Sequence, residues 1–355
     1  GLVAIGVAAA AWAGGVGALG GRGATPVLPP DLAVLLRHDG GFVRFRAASD
    51  RTGLVAYDTI ESPPGVSLRG LARLADGRLV ALATVVPPDR SAPDAALYYP
   101  DEDRLLVLAD DAADNGAVGV SPDGRSAVVM AADSVEGAYR WQFQRVDLPR
   151  GARAHLYAPD EGTRGLVASR LERMLVLPGS PSDSLLVLDF QGRRVGAVPP
   201  GSAARVGAVW CGERTALLIS YPPGRPARHE LLDTNDGSTE TLDLVPGVAN
   251  VACHGEGRWL AWVEGGAQGT RLVVADRLGG GRLSADLPGV SAVSPGFLSD
   301  EPPAVAVALE GPPRLEVEWG ETIDLTARPV GFDGRPMEVD RLEWVSRDPG
   351  VASTS

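Results

Sequence analysis

Val120-Ser121-Pro122-Asp123-Gly124-Arg125-Ser126-Ala127-Val128-Val129-Met130 decides how this chain is read. An apolar run ends in Ser-Pro, an Asp-Gly turn reverses the chain, and an alternating apolar strand leaves it. That is the sequence pattern of an antiparallel hairpin, with the reversal expected at a two-residue turn. Blurred copies recur. The position of Ser121 is held by Leu74, Ser169, Cys211, Cys253 and Ser294, at spacings of 47, 48, 42, 42 and 41 residues. A period in the forties filled with short strands predicts propeller blades of four strands each. Six marked hairpins predict six blades.

Composition agrees with many short strands joined by turns. Hydrophobic residues make up 45% of the 355, and there are 45 Gly and 29 Pro. The net charge is −12, and every basic residue other than histidine is arginine. An acidic chain without a basic block is a poor partner for nucleic acid or anionic membranes.

The two cysteines, Cys211 and Cys253, hold the same slot in neighbouring repeats. In a six-fold ring, adjacent equivalent atoms are separated by their distance from the axis. A disulfide needs Cα atoms about 4.4–6.8 Å apart, so it forms only if this slot lies very near the axis. Two buried free thiols acting as small apolar fillers are the plainer expectation.

Residues 1–21 carry no charge, and the chain starts without Met or a basic segment. Residues 1–24 therefore read as a truncated signal peptide, with a membrane anchor through 1–21 as the alternative. Either reading places the rest outside the cytoplasm: periplasmic, cell-surface or extracellular. Residues 25–31 form a Pro-rich linker, and the ring is expected over 32–311. The last marked hairpin, Val290–Leu309, offers only two strands. The simplest closure completes that blade with strands from the N-terminal segment, which removes free sheet edges. A seventh blade begun by Leu32–Arg46, with its Asp39-Gly40 turn, is the alternative.

Ser-Pro-Asp-Gly-Arg followed by an apolar strand resembles the repeat of TolB-type and WD-type bacterial propellers, with Ser121–Arg125 carrying the resemblance. The residues before 32 do not resemble the α/β domain that precedes the propeller in TolB itself. From Arg314 the pattern changes. Gly320-Glu321-Thr322, Leu325-Thr326-Ala327, Trp344-Val345-Ser346 and Asp348-Pro349-Gly350-Val351-Ala352 are similar to the bacterial Ig-like domain of group 2. Residues 314–355 supply three or four of the roughly seven strands such a sandwich needs. An incomplete domain is expected there, poorly packed because Leu325 and Trp344 lack a covering sheet. The fold class is thus all-β: a six-bladed propeller plus a partial Ig-like sandwich.

Chemistry is not legible. No Gly-x-Ser-x-Gly elbow occurs. The four histidines, His38, His155, His229 and His254, fall in separate repeats without metal-type spacing. Asp233-Thr234-Asn235-Asp236-Gly237 reads as a turn rather than a calcium loop, because its Gly falls one position early. No cofactor or metal is expected. The connections at 86–93, 133–139, 178–183, 221–228 and 264–270 join second to third strands, so one face collects them. The connections between blades, which carry Arg164, Arg205 and Asn250, reach the same face. Arg and Tyr combine apolar area with directed hydrogen bonds, so Tyr221 and Arg225 are the leading candidate anchors, with Arg164 and Arg205 nearer the axis. The favoured reading is an exported, noncatalytic binding or scaffold protein. Its propeller face would recognise a protein or glycan, with the Ig-like module as spacer. The alternative is an exported carbohydrate-active hydrolase or lyase.

Overall fold

In the computed structural model of the chain, the residues described are 28–29, 31–50, 52–88, 92–110, 112–135, 138–157, 165–168, 173–177, 184–189, 192–198, 205–212, 214–220, 222, 225–244, 248, 250–266, 269–287, 294–299, 306–310, 326–330 and 336. The apolar stretch 1–21, and most of the Ig-like segment with Leu325 and Trp344, lie outside them. Among the described residues no helix is long and apolar enough to cross a membrane.

The chain begins with β1 (Leu32–His38), β2 (Gly41–Ala47) and β3 (Leu54–Glu61). Blade 1 then follows as β4 (Val66–Arg73), β5 (Leu79–Val85), β6 (Asp94–Tyr99) and β7 (Arg104–Ala109). Blade 2 is β8 (Ala112–Val120), β9 (Ser126–Val135), β10 (Ala138–Asp147) and β11 (Ala152–Tyr157). Blade 3 is β12 (Gly165–Ala168), β13 (Arg173–Leu177), β14 (Leu185–Asp189) and β15 (Arg194–Val198). Blade 4 is β16 (Arg205–Trp210), β17 (Thr215–Ser220), β18 (Arg228–Asp233) and β19 (Thr239–Leu242). Blade 5 is β20 (Val251–His254), β21 (Trp259–Gly266), β22 (Gly269–Asp276) and β23 (Gly281–Leu287). Each is an antiparallel meander in chain order.

The sixth blade is composite. β24 (Ser294–Ser299) pairs antiparallel with β1, from Leu32 opposite Ser299 to Arg37 opposite Ser294, giving the order β24-β1-β2-β3. Closure by the chain ends is as expected, but the division differs. The C-terminal side gives one strand rather than two, and the N-terminal segment gives three. Ser294-Pro295-Gly296 imitates the hairpin motif, yet it opens the innermost strand instead of turning it. The next strand, β25 (Ala306–Glu310), leaves the ring and pairs with β26 (Thr326–Val330). Asp39-Gly40 is the second-to-third connection of blade 6, so there is no seventh blade begun by Leu32–Arg46.

The first strand of each blade is innermost. β8 packs on β12, β12 on β16, β16 on β20, β20 on β24, and β24 on β4. Hydrophobic clusters lie at all six blade interfaces. Leu35, Phe42 and Leu298 of blade 6 meet Leu71, Ala81 and Tyr98 of blade 1. Val80 and Leu97 meet Val129 and Val146, Val128 meets Met174 and Leu188, and Leu175 and Val187 meet Ala216 and Leu218. Leu217 and Leu231 meet Leu260, Trp262 and Val273, and Leu272 and Leu283 meet Val34, Leu36 and Phe45. These clusters hold neighbouring blades face to face around the axis.

The deciding turn is larger than its Asp-Gly pair. Ser121 N–H donates to Ser126 O (2.8 Å) and Gly124 N–H to Ser121 O (2.9 Å), so four residues reverse the chain. Pro122 has the fixed φ that suits the second position of a type I turn, and Gly124 (φ +67°) closes it in the left-handed region. Asp123 Oδ1 accepts from Arg125 N–H at 2.9 Å, and the fully buried Ser121 hydroxyl accepts from Ser126 N–H at 2.9 Å. Pro therefore starts the reversal one residue before the Asp-Gly pair.

The cysteines are bridged. The Cys211–Cys253 disulfide has Cα atoms 4.6 Å apart and joins blade 4 to blade 5, correcting the expectation of free thiols. The reason is that first hairpin turns of neighbouring blades touch. Glu256 N–H donates to Cys211 O (3.2 Å), and in blades 1 and 2 Ala75 N–H donates to Pro122 O (2.8 Å).

Candidate functional site

Strand direction sorts the connections into two faces. First-to-second and third-to-fourth turns lie on one end of the ring, the turn face. Second-to-third loops and the crossings between blades lie on the other, the loop face.

Carboxylates on the turn face are committed to structure. The third strand of blades 2 to 5 ends in Asp147, Asp189, Asp233 and Asp276, and each side chain accepts backbone N–H groups of the turn that follows. Gly151, Gly192, Gly237 and Gly280 close these turns with positive φ, between +65° and +77°. This second repeat recurs every 42 to 44 residues, and sequence reasoning passed over it. The Asp233–Gly237 segment is thus a turn, as expected, with Asn235 N–H on Asp233 Oδ1 at 2.9 Å. Arginines pair with these acids: Arg193 with Asp189 (2.7 Å), Arg258 with Asp276 (3.1 Å), and Arg78 with both Asp76 (2.7 Å) and Glu102 (3.0 Å).

These contacts set the acidity of the turn-face groups. Hydrogen bonds from Arg78 and Arg104 hold the Glu102 carboxyl below its usual range. Burial pushes Asp276 up, but Arg258 and the Gly279 and Leu278 N–H groups outweigh it and leave it low. Asp76 shows the same balance, with Arg78 prevailing over burial. Asp50 is lowered by Thr52, and Asp236 by Ser238. All five sit on turn-face connections. Among the described residues, no group of three or more His, Cys, Asp or Glu is arranged to hold a metal.

The loop face differs. Arg225 is exposed, its backbone N–H bonded to Pro222 O at 3.1 Å, and its guanidinium has no ion pair among the described residues. Asn250, just before β20, is exposed. Arg205 is the first residue of β16, at the loop-face end of that inner strand, paired in register with Ser220. Tyr221 and Arg164 lie outside the described residues. Two further arginines, which sequence reasoning did not single out, lie on β1 and β4 beside the ring closure. Arg37, half-buried at the end of β1, donates from Nη2 to Ser294 Oγ at 3.3 Å across the ring closure. Arg69, exposed on the inner strand β4, occupies a bulge between Leu68 and Gly70 and has no partner on β5. Burial and the nearby Arg69 charge lower the Arg37 pKa, against a smaller opposing pull from Asp39.

Beneath the Pro-rich loop of blade 4, His229 and Ser220 are buried, and the His229 Nε2 and Ser220 Oγ atoms have no hydrogen-bond partner among the described residues. Burial lowers the His229 pKa, which keeps its ring neutral. Register puts Ser220 and His229 on opposite sides of the sheet, because His229 faces Ile219. They do not form a nucleophile–base pair.

Comparison with solved structures finds similar folds. TolB from Acinetobacter baumannii superposes with a TM-score of 0.51 at 15% identity, over 75% of this chain and 66% of that one. The chain carries a TolB-like propeller. Porphyromonas gingivalis dipeptidyl peptidase 4 (TM-score 0.42, 13% identity) matches over 71% of this chain and 43% of that one. An oligogalacturonate lyase in complex with manganese (0.46, 13%) matches over 72% and 78%. At these identities the likeness is one of fold, and the chain spans about two thirds of the length of that TolB. No protein-family model matches the chain, and no curated protein does.

Proposed function

We propose that the chain is an exported, noncatalytic binding scaffold that takes a protein or glycan partner on the loop face of its TolB-like propeller. The segment beyond the ring, which resembles an Ig-like module, serves as spacer. The observation that carries this reading is the unequal chemistry of the two faces. Turn-face acids such as Asp76, Asp189 and Asp276 are spent on their own turns and paired with Arg78, Arg193 and Arg258, and although Arg228 and Arg271 near the loop face are also paired, with Glu230 and Asp286, Arg225 stands exposed on the Pro-rich loop with no ion pair among the described residues.

Export is supported by the disulfide, since such bonds persist in oxidising compartments, and by the uncharged stretch 1–21.

Tyr221→Ala with Arg225→Ala is expected to weaken partner capture at least about tenfold, the scale of losing one interface anchor, while the thermal transition stays in place. If capture survives that pair but is lost on altering Asp76-Gly77 and Asp123-Gly124 in a folded protein, the partner sits on the turn face.

A further inference from the structure

Five Asp-Gly pairs occur in the chain, and four of them lie in described turns: Asp39-Gly40, Asp76-Gly77, Asp123-Gly124 and Asp236-Gly237. At such a pair the chain can attack itself, because Gly has no side chain to shield its nitrogen from the preceding carboxyl. Three of the four are held away from that reaction. Gly77, Gly124 and Gly237 donate their N–H groups to the carbonyls of Leu74, Ser121 and Asp233, each at 2.9 Å. Their carboxylates are turned onto the N–H two residues ahead: Arg78 N–H on Asp76 Oδ1 at 3.1 Å, Arg125 N–H on Asp123 Oδ1 at 2.9 Å and Ser238 N–H on Asp236 Oδ1 at 2.7 Å. Asp39-Gly40, the loop-face turn between β1 and β2, is different. Its Gly N–H donates to His38 Nδ1 at 3.0 Å, an imidazole nitrogen rather than a carbonyl oxygen. The Asp39 carboxyl accepts no hydrogen bond among the described residues, and both Asp39 and Gly40 are exposed. The ring lies so close over Gly40 that a Cβ added there would sit 3.0 Å from His38 Cε1.

We propose that Asp39-Gly40 is a self-modification site, at which His38 acts as general base and converts Asp39 to isoaspartate. A base must lie within about 2.6–3.2 Å of the atom whose proton it takes, and His38 Nδ1 meets that requirement at Gly40 N. The nitrogen that accepts this bond is bare, so the ring's own proton sits on Nε2. In the first step Gly40 N attacks Asp39 Cγ. The N–Cγ bond forms, the Gly40 proton passes to His38 Nδ1, and the Cγ–OH bond of the protonated carboxyl breaks. The imidazolium gives its proton to the departing hydroxyl, so the products are a cyclic imide and one water. In the second step a water adds to the imide. Addition at Cγ restores aspartate. Addition at the main-chain carbonyl carbon of Asp39 breaks its bond to Gly40 N and leaves the chain running through Cγ. No oxidant or cofactor is consumed. The chain gains one methylene in a turn with little room for it, because a Cβ on the adjoining Gly41 (φ +128°) would strike Ile60 O, and Ser62 N–H holds Gly40 O at 2.9 Å. The modification therefore disturbs the loop-face end of the β1–β2 hairpin in the closing blade.

The test stores the folded chain warm at neutral pH and follows each Asp-Gly pair by peptide mapping. Isoaspartate is read as a peptide of unchanged mass that an Asp-specific protease no longer cuts, and the imide as a peptide lighter by one water. Isoaspartate should form at Asp39 at least about tenfold faster than at Asp76, Asp123 or Asp236, less than the full effect of a positioned base because solvent also takes protons. His38→Gln keeps an acceptor for Gly40 N–H but removes the base, and should slow Asp39 by at least about tenfold. An unchanged melting temperature shows that this variant folds. In guanidinium chloride the four pairs should convert at similar rates, since only the folded turn holds the ring on Gly40 N. Conversion at Asp39 no faster than at the other three, or a rate indifferent to His38→Gln, overturns the proposal. A preference for Asp39 that persists in guanidinium chloride also overturns it, for it would come from local sequence rather than from the turn. None of these readouts involves a partner, so the site stands or falls apart from the loop-face reading.

Discussion

Cys211→Ala with Cys253→Ala is expected to lower stability by about 4 kcal/mol, the chain-entropy value for a loop of this length. The bridge spans 42 residues and ties blade 4 to blade 5. Without it, those blades are held by the cluster of Leu217, Leu231, Leu260, Trp262 and Val273 and by backbone contacts between their turns. For a ring of this size, the loss corresponds to a fall of roughly 10 °C in melting temperature. A reductant should produce a similar fall in the wild type and none in the double variant. A wild-type melting curve unchanged by reductant would show that the bridge contributes nothing to the closed ring.

Leu298→Asp should act more strongly, because it strikes the closure itself. Leu298 is fully buried on β24, among Leu35 and Phe42 of its own blade and Leu71 of blade 1. A carboxylate there has lost its water, and the cost exceeds about 4 kcal/mol. β24 is the single strand from the C-terminal side of the ring, so its release frees the inner edge of blade 6 and the ring opens. The expected result is loss of the cooperative transition, with cleavage by added protease within residues 32–61. Leu298→Met, of similar volume, should cost less than about 1.5 kcal/mol. A Leu298→Asp protein that melts with the wild type would place the closure elsewhere.

Most of the ring was legible because its turns have a chemistry that sequence exposes. Pro122, Asp123 and Gly124 each meet a local requirement of one turn, and weaker copies keep the same spacing. The turns after Asp147, Asp189, Asp233 and Asp276 were equally visible in the sequence and would have fixed the third strands directly. What stayed hidden depends on tertiary approach. Ser294-Pro295-Gly296 looks like the turn motif but starts a strand, because its partner β1 lies at the other end of the chain. Whether Cys211 and Cys253 meet depends on how far adjacent turns stand from the axis, which spacing alone does not give. At the candidate site, the exposure of Arg225 and Asn250 followed from repeat register. Arg37 and Arg69 did not, since one is set by pairing across 257 residues and the other by a bulge without a sequence marker.

The claim that the loop face is where the partner docks is tested most directly by a photo-crosslinking amino acid placed at one position per face. Position 225 reports on the loop face and position 125 on the turn face, and both side chains are exposed. On illumination of cells that make the protein, position 225 should yield a discrete adduct that position 125 does not. A discrete adduct from position 125, with none from 225, would contradict the account.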